Sequence, residues 1–145
     1  MVVYGHKINQ AARVFSKKLN EQLSPLGMYN AQWGVILRLF EQGPCTQTEL
    51  SDYLCVEPPT MTRTLARMAE LGWIVREKGT DRRERKVCLT MAASEKFRSW
   101  QQASDELEAK ALLNIDEQEL AVFNRVIEQM MINLLRKDEK DEVVE

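Results

Sequence analysis

Apolar residues recur at helical spacing along most of the chain. Ile8, Ala12, Phe15, Leu19 and Leu23 fall three or four apart, the pattern of one buried helix face. Ser24, Pro25, Leu26 and Gly27 interrupt it, and a second helix follows with Trp33, Ile36, Leu37 and Phe40 inward, closing at Gln42, Gly43 and Pro44. Thr46-Gln47-Thr48-Glu49 has the form of a capping box, whose side chains satisfy the free amides of a helix start. That start predicts a short helix with Leu50, Tyr53 and Leu54 inward, stopping near Cys55 and Val56. Prolines are tolerated in a first helical turn, so Pro58 and Pro59 open a further helix running to about Leu71, with Met61, Leu65 and Met68 inward. Gly72 suits a left-handed cap, followed by Trp73 as its apolar contact.

The period then changes. Trp73 to Glu77 and Lys86 to Leu89 read as two strands, joined through Gly79, Thr80, Asp81 and an arginine cluster. Thr90 suits the N-cap of a long helix with Phe97, Trp100, Ser104, Leu107 and Ala111 on one face. Beyond Asn114 and Asp116, a last helix aligns Leu120, Phe123, Ile127, Met130 and Leu134. The predicted class is mainly α with a small β-hairpin (α+β). Two short helices followed by a basic hairpin form the winged helix-turn-helix order.

Composition narrows the class. Hydrophobic residues make up 44% and charged residues 29%, which excludes a disordered chain. No apolar run approaches the roughly 20 residues of a membrane span, and Tyr4, His6, Lys7 and Asn9 break any secretory signal. A cytoplasmic protein is expected. Cys45, Cys55 and Cys88 are odd in number and widely spaced, which argues against a disulfide framework and a zinc site. With His6 the single histidine and no nucleophile or metal motif, no catalytic residue, metal or cofactor is expected.

Charge is distributed unevenly. The formal net charge is −2, yet residues 60–86 carry eight Lys or Arg against four acids. A basic stripe on an acidic body suits binding to a phosphate backbone. In a helix-turn-helix the second helix enters the major groove with its outward N-terminal residues toward the bases. Here those are Pro59, Thr60, Thr62, Arg63 and Arg67. Arginine can grip guanine bidentately, and threonine can bond a base or phosphate or touch a thymine methyl. The loop holding Asp81, Arg82, Arg83 and Arg85 has two readings. One is a solvated loop with internal counter-charges. The other is a wing whose arginine enters the narrow minor groove, with Asp81 orienting Arg83. A protein-interaction module of the same shape would lack exposed cations on both helix and wing.

Asp81-x-Arg83 followed by Val87-Cys88-Leu89-Thr90 resembles the wing motif of the MarR family. Pro59-Thr60-Met61-Thr62-Arg63-Thr64-Leu65, with Leu71-Gly72-Trp73-Ile74 after it, is similar to that family's recognition helix and its exit. Ala93 departs from the glycine often found shortly after Leu-Thr. The resemblance spans essentially the whole chain. It implies one domain over 1–145, with a DNA-binding lobe at 30–90 and helices in 1–29 and 91–145 that form a dimer interface.

It further implies a homodimeric regulator, a repressor, on double-stranded DNA with a pseudo-palindromic operator. The interface would hold Phe15, Leu19, Leu120, Phe123, Ile127, Met130 and Leu134, although the same stripes could close a monomeric core. Family members commonly release DNA on binding a small, often aromatic or phenolic, effector; others sense oxidation. The family's peroxide sensors carry a reactive cysteine in the first helix, and residues 1–29 hold none. Cys55 and Cys88 read as small buried hydrophobes, with a thiol-based switch as the alternative.

Overall fold

A computed structural model describes residues 1–78 and 85–136 of the chain. It divides into two compact units, Met1–Ala109 and Lys110–Glu145. The fold is mainly helical with a three-stranded antiparallel sheet.

Helix α1, Tyr4–Leu23, opens the first unit. It begins a turn before the expected Ile8, because Lys7 N–H closes onto the Val3 carbonyl at 3.1 Å. Tyr4, Gly5, His6 and Lys7 are all exposed, so no apolar periodicity marks this turn. A single 3-10 turn, Ser24–Leu26, ends at Gly27 in the left-handed region and leads to α2, Asn30–Gln42. Trp33 and Ile36 are buried as expected, together with Val35 and Leu39. Phe40, expected inward, is 51% exposed. One of its faces stacks on Phe97 with centroids 3.6 Å apart, which leaves the other to solvent.

A strand absent from the sequence reading follows. Strand β1, Cys45–Thr46, pairs with β3, Arg85–Leu89, which also pairs with β2, Ile74–Lys78. The sheet order is therefore β1-β3-β2. Thr46 ends β1 and caps α3, Gln47–Leu54, accepting the Glu49 N–H on its hydroxyl at 3.2 Å. Leu50 is buried and Leu54 half-buried, but Tyr53 is not inward: it is 52% exposed, its ring 5.5 Å from the Arg38 guanidinium carbon. Helix α3 stops at Cys55, which takes up a φ of 53°.

Helix α4, Pro58–Glu70, buries Met61, Leu65 and Met68 as the periodicity requires. Its end is a Schellman motif. Trp73 N–H bonds the Met68 carbonyl at 3.0 Å and Gly72 N–H bonds the Ala69 carbonyl at 3.1 Å. Gly72 has a φ of 82°, a conformation that an L side chain would strain. Thr90 starts α5, Met91–Ala111, by accepting the Ala93 N–H at 3.2 Å while donating to the Gly72 carbonyl at 2.6 Å. Phe97, Trp100 and Leu107 lie inward; Ala111, expected on that face, is exposed. The core of this unit gathers Leu23, Met28, Ile36, Leu50, Met61, Leu65 and Trp100 with their neighbours.

The second unit contains α6, Glu117–Leu135. A full capping box opens it: the Asp116 carboxylate accepts from Glu119 N–H at 2.8 Å, and the Glu119 carboxylate accepts from Asp116 N–H at 3.3 Å. No residue of this helix is buried. Among the described residues, no helix is long and apolar enough to cross a membrane.

Candidate nucleic-acid interface

Helix α4 is amphipathic in a way that separates support from contact. Met61, Leu65 and Met68 anchor one face in the core, and Pro59, Thr60, Thr62, Arg63 and Arg67 are exposed around the other. Pro58 and Pro59 occupy the first turn, where their missing N–H groups cost no intrahelical bond. Of the four predicted contact residues in the opening turns of α4, Thr60, Thr62 and Arg63 are each already engaged. Arg63 Nη2 donates to Thr60 Oγ1 at 3.2 Å. Thr62 Oγ1 donates to the Pro58 carbonyl at 3.0 Å and accepts from Gln47 Nε2 at 2.7 Å. One turn further on, Arg67 pairs with Glu70 at 3.3 Å; both are largely exposed, and such pairs contribute little to stability.

Gln47 was missed by sequence reasoning. It lies 15 residues from Thr62 on a different helix, and no periodicity links positions so far apart.

Asp81, Arg82 and Arg83 lie outside the described residues. Arg85, expected in the loop, is instead the first residue of β3, exposed and opposite Lys78. Like charges directly opposite each other across an antiparallel pair repel, so this end of the hairpin is suited to receive an anion. One position inward, Glu77 stands opposite Lys86, an opposite-charge pair on the other face of the sheet.

Cys45 and Cys88 are buried, but Cys55, expected as a small buried hydrophobe, is exposed at the left-handed end of α3. Burial is the main reason the Cys45 and Cys88 thiols titrate above their ordinary range; Glu77 adds to the rise at Cys88. Both therefore remain protonated at neutral pH, the unreactive form of a thiol. Of the residues expected at a dimer interface, Leu19 on α1 and Leu120, Ile127 and Met130 on α6 are half-buried. Phe15, Phe123 and Leu134 are exposed, Leu134 at 85%.

The MarR family model matches residues 28–84, from just before α2 to the residue before β3. Over 131 residues the chain is 43% identical to the uncharacterized HTH-type transcriptional regulator YwoH of Bacillus subtilis strain 168, covering 90% of each. The chain belongs to the MarR family. Solved structures agree with this placement. The transcriptional regulator PA3341 superposes with a TM-score of 0.82 at 30% identity, over 91% of this chain and 98% of that one. A mutant MarR from E. coli complexed with operator DNA gives a TM-score of 0.79 at 26% identity, over 87% of this chain and 91% of that one. These relatives are transcriptional regulators, not enzymes. The family match includes α4 and β2 and ends just before β3, so Pro59, Thr60, Thr62, Arg63, Arg67, Asp81, Arg82 and Arg83 fall within it and Arg85 does not.

Proposed function

We propose that this MarR-family protein is a sequence-specific DNA-binding repressor, acting as a homodimer on a pseudo-palindromic operator and released by a small effector. The observation that carries the reading is α4. Three buried residues fix one of its faces while Thr60, Arg63 and Arg67 stay open to solvent on the other. The operator complex of the E. coli MarR mutant, similar in fold, supports the same orientation of function. In this reading Pro59, Thr60, Arg63 and Arg67 meet the major groove, Thr62 lies among them with its hydroxyl already committed within the protein, and Asp81, Arg82, Arg83 and Arg85 form the wing contact.

Homodimerisation is supported by α6, a 19-residue helix that carries Leu120, Phe123, Ile127, Met130 and Leu134 yet buries none of them. Exposed Phe15 on α1 adds apolar surface that a second copy would cover. A two-fold dimer then requires half-sites about one helical turn, roughly 10 base pairs, apart. Burial keeps Cys45 and Cys88 protonated, which disfavours a thiol switch at those two; the exposed Cys55 is where the alternative, thiol-based reading would act.

The test is a gel shift with the DNA upstream of the protein's own gene at about 50 and 200 mM salt, where phosphate-dependent binding falls steeply. Retention of that DNA, with scrambled DNA failing to compete, is the expected result. Equal retention of scrambled DNA would remove sequence specificity from the proposal. A thermal-shift screen of aromatic and phenolic compounds is expected to find one that raises the melting temperature and releases the DNA.

A further inference from the structure

The hydroxyl of Thr62 is committed within the protein. The Pro58 carbonyl oxygen can only accept, so the single hydroxyl proton of Thr62 goes to it at 3.0 Å. Toward Gln47 the oxygen can then only accept, and Gln47 must present its NH2 group at 2.7 Å. Thr62 thus cannot donate to a phosphate or a base without breaking its bond to Pro58. Gln47 is the first residue of α3 and follows Thr46, which is paired with Lys86 in the sheet. A continuous connection therefore runs from β3 through Thr46 and Gln47 to the first turn of α4.

We infer that Gln47 is a positioning residue for the DNA contact. Its carboxamide, bonded to the Thr62 hydroxyl, fixes the first turn of α4 against α3 and the sheet. Arg63, the neighbour of Thr62, is thereby presented at a set depth. Thr62 serves as the acceptor of this strut, which revises its expected role as a base reader. The inference deepens the DNA-binding reading and rests on it.

The experiment is a double-mutant cycle on operator binding by the full chain, using Gln47→Ala, Thr62→Val and their combination, with Thr62→Ser as the conservative variant. Urea midpoints report the fold of each. A neutral hydrogen bond corresponds to a roughly three- to tenfold change, so each of Gln47→Ala and Thr62→Val should weaken binding by that factor. The combination should be no weaker than the worse single variant to within about twofold, because both remove one interaction. Thr62→Ser keeps the hydroxyl and should bind like wild type.

Multiplying losses would overturn the inference and make Gln47 a direct DNA contact. So would a well-folded Thr62→Ser as weak as Thr62→Val, since a retained hydroxyl would then not preserve binding. Should Thr62→Val not fold, Gln47→Ala against Thr62→Ser carries the test: loss in the first with retention in the second supports the strut, and any other pair of results overturns it. Wild-type protein that fails to distinguish operator from scrambled DNA overturns the DNA-binding reading itself and this inference with it, a result separate from an additive cycle.

Discussion

Helices α4 and α6 are both amphipathic, yet the chain treats them differently. In α4, Met61, Leu65 and Met68 are each at most 1% exposed. In α6 a longer apolar stripe buries nothing, and Phe123 remains 59% exposed. Periodicity shows which side of a helix is apolar but is silent about what covers it. The stripe of α4 is answered by α2, α3 and the hairpin in the same unit. That of α6 calls for a surface from elsewhere, because large exposed apolar patches mark interaction sites.

Substitution on the two apolar faces should separate these cases most sharply. Leu65→Ala removes a fully buried side chain and should cost about 2–5 kcal/mol of stability, seen as a urea midpoint lowered by a similar amount at every protein concentration. Phe123→Asp should instead dissociate a dimer, giving a smaller mass by light scattering at micromolar concentration. A wild-type protein that is already monomeric there would break the comparison, leaving α6 uncovered in solution.

The outward side of α4 comes next. Arg63→Ala should lose about 1–3 kcal/mol of base discrimination, measured as relaxed preference at one position per half-site. Arg83→Ala, at a residue outside those described, should weaken binding to most sequences alike. One phosphate contact removes about 0.9 from the log–log salt slope, so two wings should lower it by nearly 2. An unchanged slope would mean that the basic loop is solvated and only the helix meets DNA.

The smallest effect concerns the core that holds α4. Folding raises the thiol pKa of Cys45 and Cys88 above the ordinary value of 9.0. The folded state therefore keeps its protons where the unfolded chain loses them. This stability is fully present below pH 9.0 and is lost as pH rises from there through the higher folded value. Urea midpoints between neutral and alkaline pH should fall less steeply in Cys45→Ala than in wild type.

Much of the architecture was readable because local chemistry specifies it. The Thr46 cap, the paired prolines of α4, the Gly72 ending and the Thr90 start all stand where their side chains dictate. What escaped was non-local. Strand β1 is two residues long, too short for any period, and exists because β3 lies beside it. Phe40 and Tyr53 follow the helical spacing but sit at the margin of the core, one stacked on Phe97 and the other under Arg38. The outward residues of α4 were legible from the buried ones. That Thr62 is held by Gln47 was not, since it depends on how α3 and α4 pack.

Thr90 has a consequence for how the hairpin can vary in length. Its hydroxyl ties the Gly72 carbonyl to the first turn of α5, and its N–H bonds the Trp73 carbonyl at 3.1 Å. Both ends of the excursion between positions 72 and 90 are thus stapled at the base, and the closure cost is met there whatever lies at the far end. Adding residues to an already closed loop costs only slowly more, about 0.6 kcal/mol for each doubling. Insertions between Lys78 and Arg85 should therefore leave the ends of α4 and α5 in register. The reach of the hairpin toward a ligand can change without the helices having to move.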